Sequence, residues 1–186
     1  MAIEPDTKDW TWVLKRPCPE CGFDASTVPC RSIAAELRIS GRAWRQLLDR
    51  AQVRWRPAPD VWSALEYGCH VRDVFKLYDW RLGLMLAEDD PLFENWDQDR
   101  ASVEGSYGDE DPRVVTYEIE TEGDRLASSL GRVTANEWSR KGRRSDGAVF
   151  TIDSFSRYLL HDPVHHIQDV ERGYALLATA GSARGR

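Results

Sequence analysis

Lysine is nearly missing from this 186-residue sequence: 21 of its 25 cationic residues are arginine, and 31 acidic residues outweigh them for a formal charge of −6. That balance leaves no general electrostatic grip on a phosphate backbone, so nucleic acid is not an expected partner. No stretch approaches the roughly 20 apolar residues that a bilayer crossing needs. The opening MAIEPDTKDW lacks the basic-then-apolar pattern of an export signal. A cytoplasmic protein with no membrane partner is expected. Cysteine is sparse (Cys18, Cys21, Cys30, Cys69), and without an export signal these are thiols or metal ligands rather than a disulfide frame. Repeats, low-complexity tracts and clear strand alternation are absent too. What is present, 41% apolar and 30% charged residues with a mean hydropathy of −0.55, suits one soluble domain and excludes disordered, collagen-like and coiled-coil chains.

The apolar residues recur at helical spacing in four stretches, each ended by Gly, Pro or acidic turn residues. Ile33, Leu37, Trp44 and Leu48 share one face opposite Arg38, Arg42, Arg45 and Asp49. A second helix opens at Ser63, whose hydroxyl caps the first turn while Glu66 reaches back and Trp62 and Tyr67 form a hydrophobic staple; it ends before EDDP. Residues 92–110 show no period and read as a long connection, the kind that crosses a bundle end or lies over a pocket. Asp111-Pro112 starts a third helix carrying Val115, Ile119, Leu126, Leu130 and Val133, with Gly123 as its weak point. Ser145-Asp146-Gly147 is a turn, which places Arg143 and Arg144 on a loop. A fourth helix runs from near Thr151 toward Ala180. The expected architecture is all-α: an irregular N-terminal CxxC-containing arm (1–30), a four-helix bundle (31–181) and a disordered tail (182–186).

All four histidines fall on the second and fourth helices. At 100° per residue, His161 and His165 lie about 40° apart on a face shared with Tyr158, Gln168 and Leu176, so two imidazoles one turn apart can chelate one ion. His70 lies in the apolar stripe of Tyr67, Val74, Leu77, Leu84 and Met85, which must face the bundle interior. One inward histidine can meet the other two there, and three imidazoles leave a coordination position open for chemistry. The alternative is three partly buried packing histidines, each with one satisfied hydrogen bond. His166, about 100° round from His165, falls outside this set. Pro163 either kinks the helix or starts a new one.

Cys18-Pro-Glu-Cys21-Gly resembles half of a zinc knuckle, with Cys30 the nearest further ligand in sequence; Cys18, Cys21 and Cys30 are thus a candidate second metal site. A proline-shaped turn with free thiols is the simpler alternative, and Cys69 suits a packing role.

The runs WSALEYGCHVRDV (62–74) and LLHDPVHHIQ (159–168) resemble the DinB-like superfamily, which includes mycothiol-dependent maleylpyruvate isomerases and bacillithiol S-transferases. The likeness spans about Arg31 to Val170. It implies a four-helix bundle holding zinc or nickel through His70, His161 and His165, often as a homodimer, with a low-molecular-weight thiol and an electrophile as small-molecule partners. Two features depart from the family pattern: Ile167 stands where glycine is usual, and the CPECGFD arm is an addition. Arginine-heavy usage would suit an actinobacterial genome and a mycothiol-like cofactor. Glu66, Asp73, Asp162, Gln168 and Asp169 are candidate acceptors behind the imidazoles. Arg72, Arg143, Arg144 and Arg157 are candidates for receiving a carboxylate or a polar thiol. The function expected is a metal-dependent thiol S-transferase or isomerase; the alternative is a non-catalytic metal-binding or interaction scaffold.

Overall fold

The computed structural model describes residues 9–184, and four long helices build its body: α1 (Ile33–Leu48), α2 (Ala64–Ala87), α4 (Pro112–Gly131) and α5 (Ile152–Arg184), with a short α3 (Gln98–Glu104) in the long connection. The expected helix starts have local causes. Ser63 accepts from the Glu66 amide while the Glu66 carboxylate accepts from the Ser63 amide, closing a capping box, and the Trp62 and Tyr67 rings meet at 5.4 Å. Asp111 accepts from the Arg113 amide at 2.9 Å with Pro112 at the first helical position.

Helices adjacent in sequence are not always adjacent in space. α1 packs on α4 and α5, and so does α2, which sets α1 diagonally across from α2. The predicted stripes point inward: Ile33, Leu37, Trp44, Val115, Ile119 and Leu126 are all buried. Gly123 is needed for close approach rather than being a weak point, since a Cβ there would lie 3.1 Å from the Phe75 ring of α2. This arrangement brings α2 and α5 side by side, so side chains from both can share one seam.

The expectation of no strands changes, and two points that the sequence left open are resolved. A small three-stranded sheet exists, with β1 (Leu92–Phe93) parallel to β2 (Lys141–Arg144), which is antiparallel to β3 (Val149–Thr151). Strands of two to four residues are too short to show alternation. Arg143 and Arg144 therefore sit on a strand, followed by the predicted turn at Gly147. The N-terminal arm, though irregular, is docked: it forms 3-10 turns at Trp10–Leu14, Ala25–Thr27 and Cys30–Ser32, and Val13, Cys18 and Ala25 are buried. Lastly, α5 runs through Pro163 without a break. Of the expected tail, the α5 backbone reaches Arg184, while residues 185–186, like residues 1–8, lie outside the described residues. No helix among the described residues is long and apolar enough to cross a membrane.

Candidate functional site

Helix α5 carries two pairs of metal-donor side chains with the same i, i+4 spacing, offset by one residue. His161 and His165 form one, Asp162 and His166 the other, and at 100° per residue the two pairs occupy neighbouring faces. The second pair meets His70 of α2, and the first meets the arm.

At the α2–α5 seam, His70 Nε2 lies 3.2 Å from Asp162 Oδ2, and His166 Nε2 lies 3.7 Å from the same oxygen. The two imidazole rings stand 4.9 Å apart and nearly perpendicular, at 86°. Trp62 and Trp96 hold the His70 ring between centroids 5.5 and 5.4 Å away. Burial alone would raise the Asp162 carboxyl, but His70 and His166 beside it pull it down to about 2, so it is ionised. Behind His166, Nδ1 lies 2.8 Å from Asp169 Oδ2; a proton held between them leaves Nε2 with its lone pair directed at the cluster. His70 Nδ1 and Asp162 Oδ1 are buried with no hydrogen-bond partner. A buried carboxylate oxygen left unpaired beside two imidazoles fits a cation-binding set of two histidines and one carboxylate, and His70, Asp162 and His166 each offer one donor atom within 4.8 Å of the others.

This cluster borders a cavity of about 900 Å³ lined by His70, Asp162, Tyr78, Arg81, Trp96 and Arg144 among others. The volume suits a small-molecule site. Asp9, Trp10 and Thr11 of the arm complete one wall.

On the neighbouring face of α5, Cys18, Cys21, His161 and His165 also offer donor atoms within 4.8 Å of one another. Burial holds His161 down to about 4, which keeps the imidazole neutral, and pushes the Cys21 thiol up to about 11.

A family model described as the DinB superfamily matches residues 36–170. The chain belongs to the DinB superfamily. Among solved structures, YfiT from Bacillus subtilis, described as a probable metal-dependent hydrolase with an unusual four-helix bundle topology, resembles it with a TM-score of 0.65 at 16% identity, covering 80% of this chain and 86% of that one. At that identity the likeness is one of fold. No curated protein matches the chain.

In this DinB member the three expected histidines divide between two clusters. His161 and His165 are together, as their spacing implies, but face the arm; His70 instead meets His166, which the helical-wheel argument set aside, and Asp162, considered only as a supporting acceptor. The cause is a one-residue phase: the run HDPVHH contains both H-x3-H and D-x3-H, and a search for imidazoles alone overlooks the second. Cys18 and Cys21 do come together, whereas Cys30 is in no such group among the described residues. Cys69 is a packing thiol, pushed up to about 12 by burial. Of the supporting acceptors, Asp169 and Asp162 reach histidines; Glu66 is held by Arg56 and Ser63, Asp73 by Arg72 and Tyr107, and Gln168 is exposed. Of the arginines, Arg144 lines the cavity while bound to Asp146 at 2.8 Å. Arg143 pairs with Asp90 outside it, Arg72 with Asp73, Glu110 and Glu118, and Arg157 ties Asp153 to the arm carbonyls of Ala25 and Val28. Arg81, which carries no sequence signal beyond its place on α2, enters the cavity wall.

Proposed function

We propose that the chain is a metal-dependent enzyme in which His70, Asp162 and His166 hold a divalent ion, zinc or nickel, and a low-molecular-weight thiol of the mycothiol type is activated for transfer to an electrophile or for isomerisation. The observation that carries this reading is the convergence of three donors, two of which, His70 and Asp162, line a cavity of about 900 Å³, because a site with protein donors on one side only has room for a ligand on the other. A bound divalent ion stabilises the thiolate of a thiol whose pKa in water is about 8.5. The chain's own residues do the rest. Asp169 fixes the His166 tautomer, and Trp62 and Trp96 fix the His70 ring. Asn95 and Gln98 give the cavity polar contacts, and Arg81 and Arg144 are cations positioned for a carboxylate. DinB membership and the description of YfiT as a probable metal-dependent hydrolase support a metal requirement.

The test is metal analysis with turnover of a panel of reactive electrophiles, with and without a small thiol, for wild type, His70→Ala and His166→Ala. Thiol-dependent turnover is expected for wild type, with loss of that turnover and of the corresponding ion in both variants. Thiol-independent turnover would replace S-transfer with hydrolysis, and bound metal without turnover on any electrophile would favour the non-catalytic scaffold.

A further inference from the structure

The pairing of the CPEC turn with H-x3-H on α5 leaves two buried imidazoles, the buried Cys18 thiol and the half-buried Cys21 thiol, which the cavity chemistry does not use. We propose that Cys18, Cys21, His161 and His165 form a second, closed zinc site that staples the N-terminal arm to α5. The donors come from the two places such a site requires. The first two are presented by a turn in which the Cys18 amide donates to the Phe23 carbonyl and the Gly22 amide to the Cys18 carbonyl, both at 2.8 Å, with Gly22 in the left-handed region at φ 74°. That geometry folds CPECG so that both sulfurs face one point. The other two are one helical turn apart on α5.

Distance, burial and charge agree. Cys18 Sγ lies 3.6 Å from His165 Nδ1; with Zn–S near 2.3 Å and Zn–N near 2.0–2.1 Å, the S···N edge of a tetrahedron is about 3.6 Å. Cys18, His161 and His165 are exposed by only 1%, 4% and 5%, and His161 Nε2 is buried with no hydrogen-bond partner. All four cysteines are free thiols, so the adjacent pair is not consumed by a disulfide. Two thiolates and two neutral imidazoles around a dication sum to zero charge, which a buried site tolerates. Four sulfur and nitrogen donors in this arrangement select zinc over harder ions.

The surroundings complete the site. His165 Nε2, on the far side of its ring, points toward Asp169 at 3.5 Å and Glu20 at 3.7 Å, the carboxylate backing that orients a ligating imidazole. Arg172 donates to Asp169 at 2.5 Å and to the Glu20 carbonyl at 3.2 Å. Trp10 and Phe23 cover the histidines, with Trp10 5.6 Å from His161 and 5.1 Å from His165, and Phe23 5.5 Å from His161. The ligand set is full, so the role assigned is structural rather than catalytic.

Cobalt(II) and zinc loading of the reduced full chain tests this, using wild type, Cys18→Ser/Cys21→Ser and His70→Ala. Wild type and His70→Ala should both show thiolate-to-cobalt charge-transfer absorption, with about two zinc per chain retained through dialysis by wild type and about one by His70→Ala; the double-cysteine variant should lose the band and one of the two zinc ions. In native wild type, Cys18 and Cys21 should resist alkylation until a chelator is added, a measurement that does not depend on any variant folding. Absence of the thiolate band in cobalt-loaded wild type, zinc content unchanged in the double-cysteine variant, or alkylation of both thiols in the zinc-loaded protein would overturn the proposal. Because His70→Ala removes only the other centre's ligand, failure of the two sites is told apart.

Discussion

Arg81 shows how a single side chain can belong to both core and cavity. Its guanidinium lies 5.7 Å from the Tyr78 ring centroid and 4.8 Å from that of Phe93, Nη2 donates to the Glu94 carbonyl at 2.5 Å, and Nε is buried with no partner. Burial lowers its pKa, the mark of a cation short of counter-charge. An anionic substrate group in the cavity would supply that charge. Arg81→Met should raise KM for a carboxylate-bearing electrophile about 10- to 100-fold, the equivalent of a lost charge-assisted hydrogen bond at about 1.5–3 kcal/mol, with kcat and metal content little changed. Equal losses in kcat and metal content would assign Arg81 to structure instead. Asp169 makes a second prediction, because its carboxylate lies against both His166 and His165. Asp169→Asn should weaken metal binding at the α2–α5 seam about 10- to 100-fold in a metal titration while the helices remain intact, the usual cost of removing a carboxylate behind a ligating imidazole. Arg81 carries no signal in the sequence beyond its place on α2, whereas Asp169 is legible there as a candidate acceptor behind the imidazoles. Imidazole spacing was legible, but which of two offset pairs faces α2 is a question of helix rotation, and one residue of phase decides it.

Among the elements, α2 is the one whose start the sequence specifies most completely, and its stability can be read out by pH. Burial acts to raise the Glu66 carboxyl, yet the Arg56 guanidinium and the Ser63 amide and hydroxyl win, so its folded pKa is lowered. A carboxyl with a depressed folded pKa adds stability that is present above its unfolded value of about 4.3 and is lost as pH falls through the folded value. Ser63→Ala should cost about 1 kcal/mol in denaturant unfolding near neutral pH, and Glu66→Gln should flatten the fall in stability on acidification below about pH 4.3. An unchanged acid slope in Glu66→Gln would place the pH dependence elsewhere. The cap was legible because Ser63, Glu66, Trp62 and Tyr67 are local in sequence. The sheet was not, because β1 pairs with β2 across about fifty residues and each strand is too short to carry a pattern.

For the molecule as a whole, the arm links the two α5 faces. Trp10 rests on His161 and His165, and together with Asp9 and Thr11 it lines the large cavity, so whatever fixes the arm also shapes the substrate wall. The four-helix order was legible from apolar periodicity, since each helix buries its own stripe; the arm's docking was not, because its hydrogen-bond partners on α5 lie 129 or more residues away. If zinc staples that arm, its removal acts through mass action on a local equilibrium rather than on the bundle. Free zinc at 100 times its dissociation constant would add about 2.7 kcal/mol to the stapled state. Chelation of reduced wild type should therefore speed amide exchange in residues 9–30 and along the facing turn of α5, while α1, α2 and α4, whose contacts with one another do not involve the arm, keep their protection. Turnover in the cavity should fall with the arm's release even when the α2–α5 centre is resupplied with nickel, because the wall contributed by Trp10 is no longer held in place. Exchange that accelerates evenly across all four helices would instead show that the ion supports the bundle as one cooperative unit, and would deny the arm a separate part in shaping the cavity.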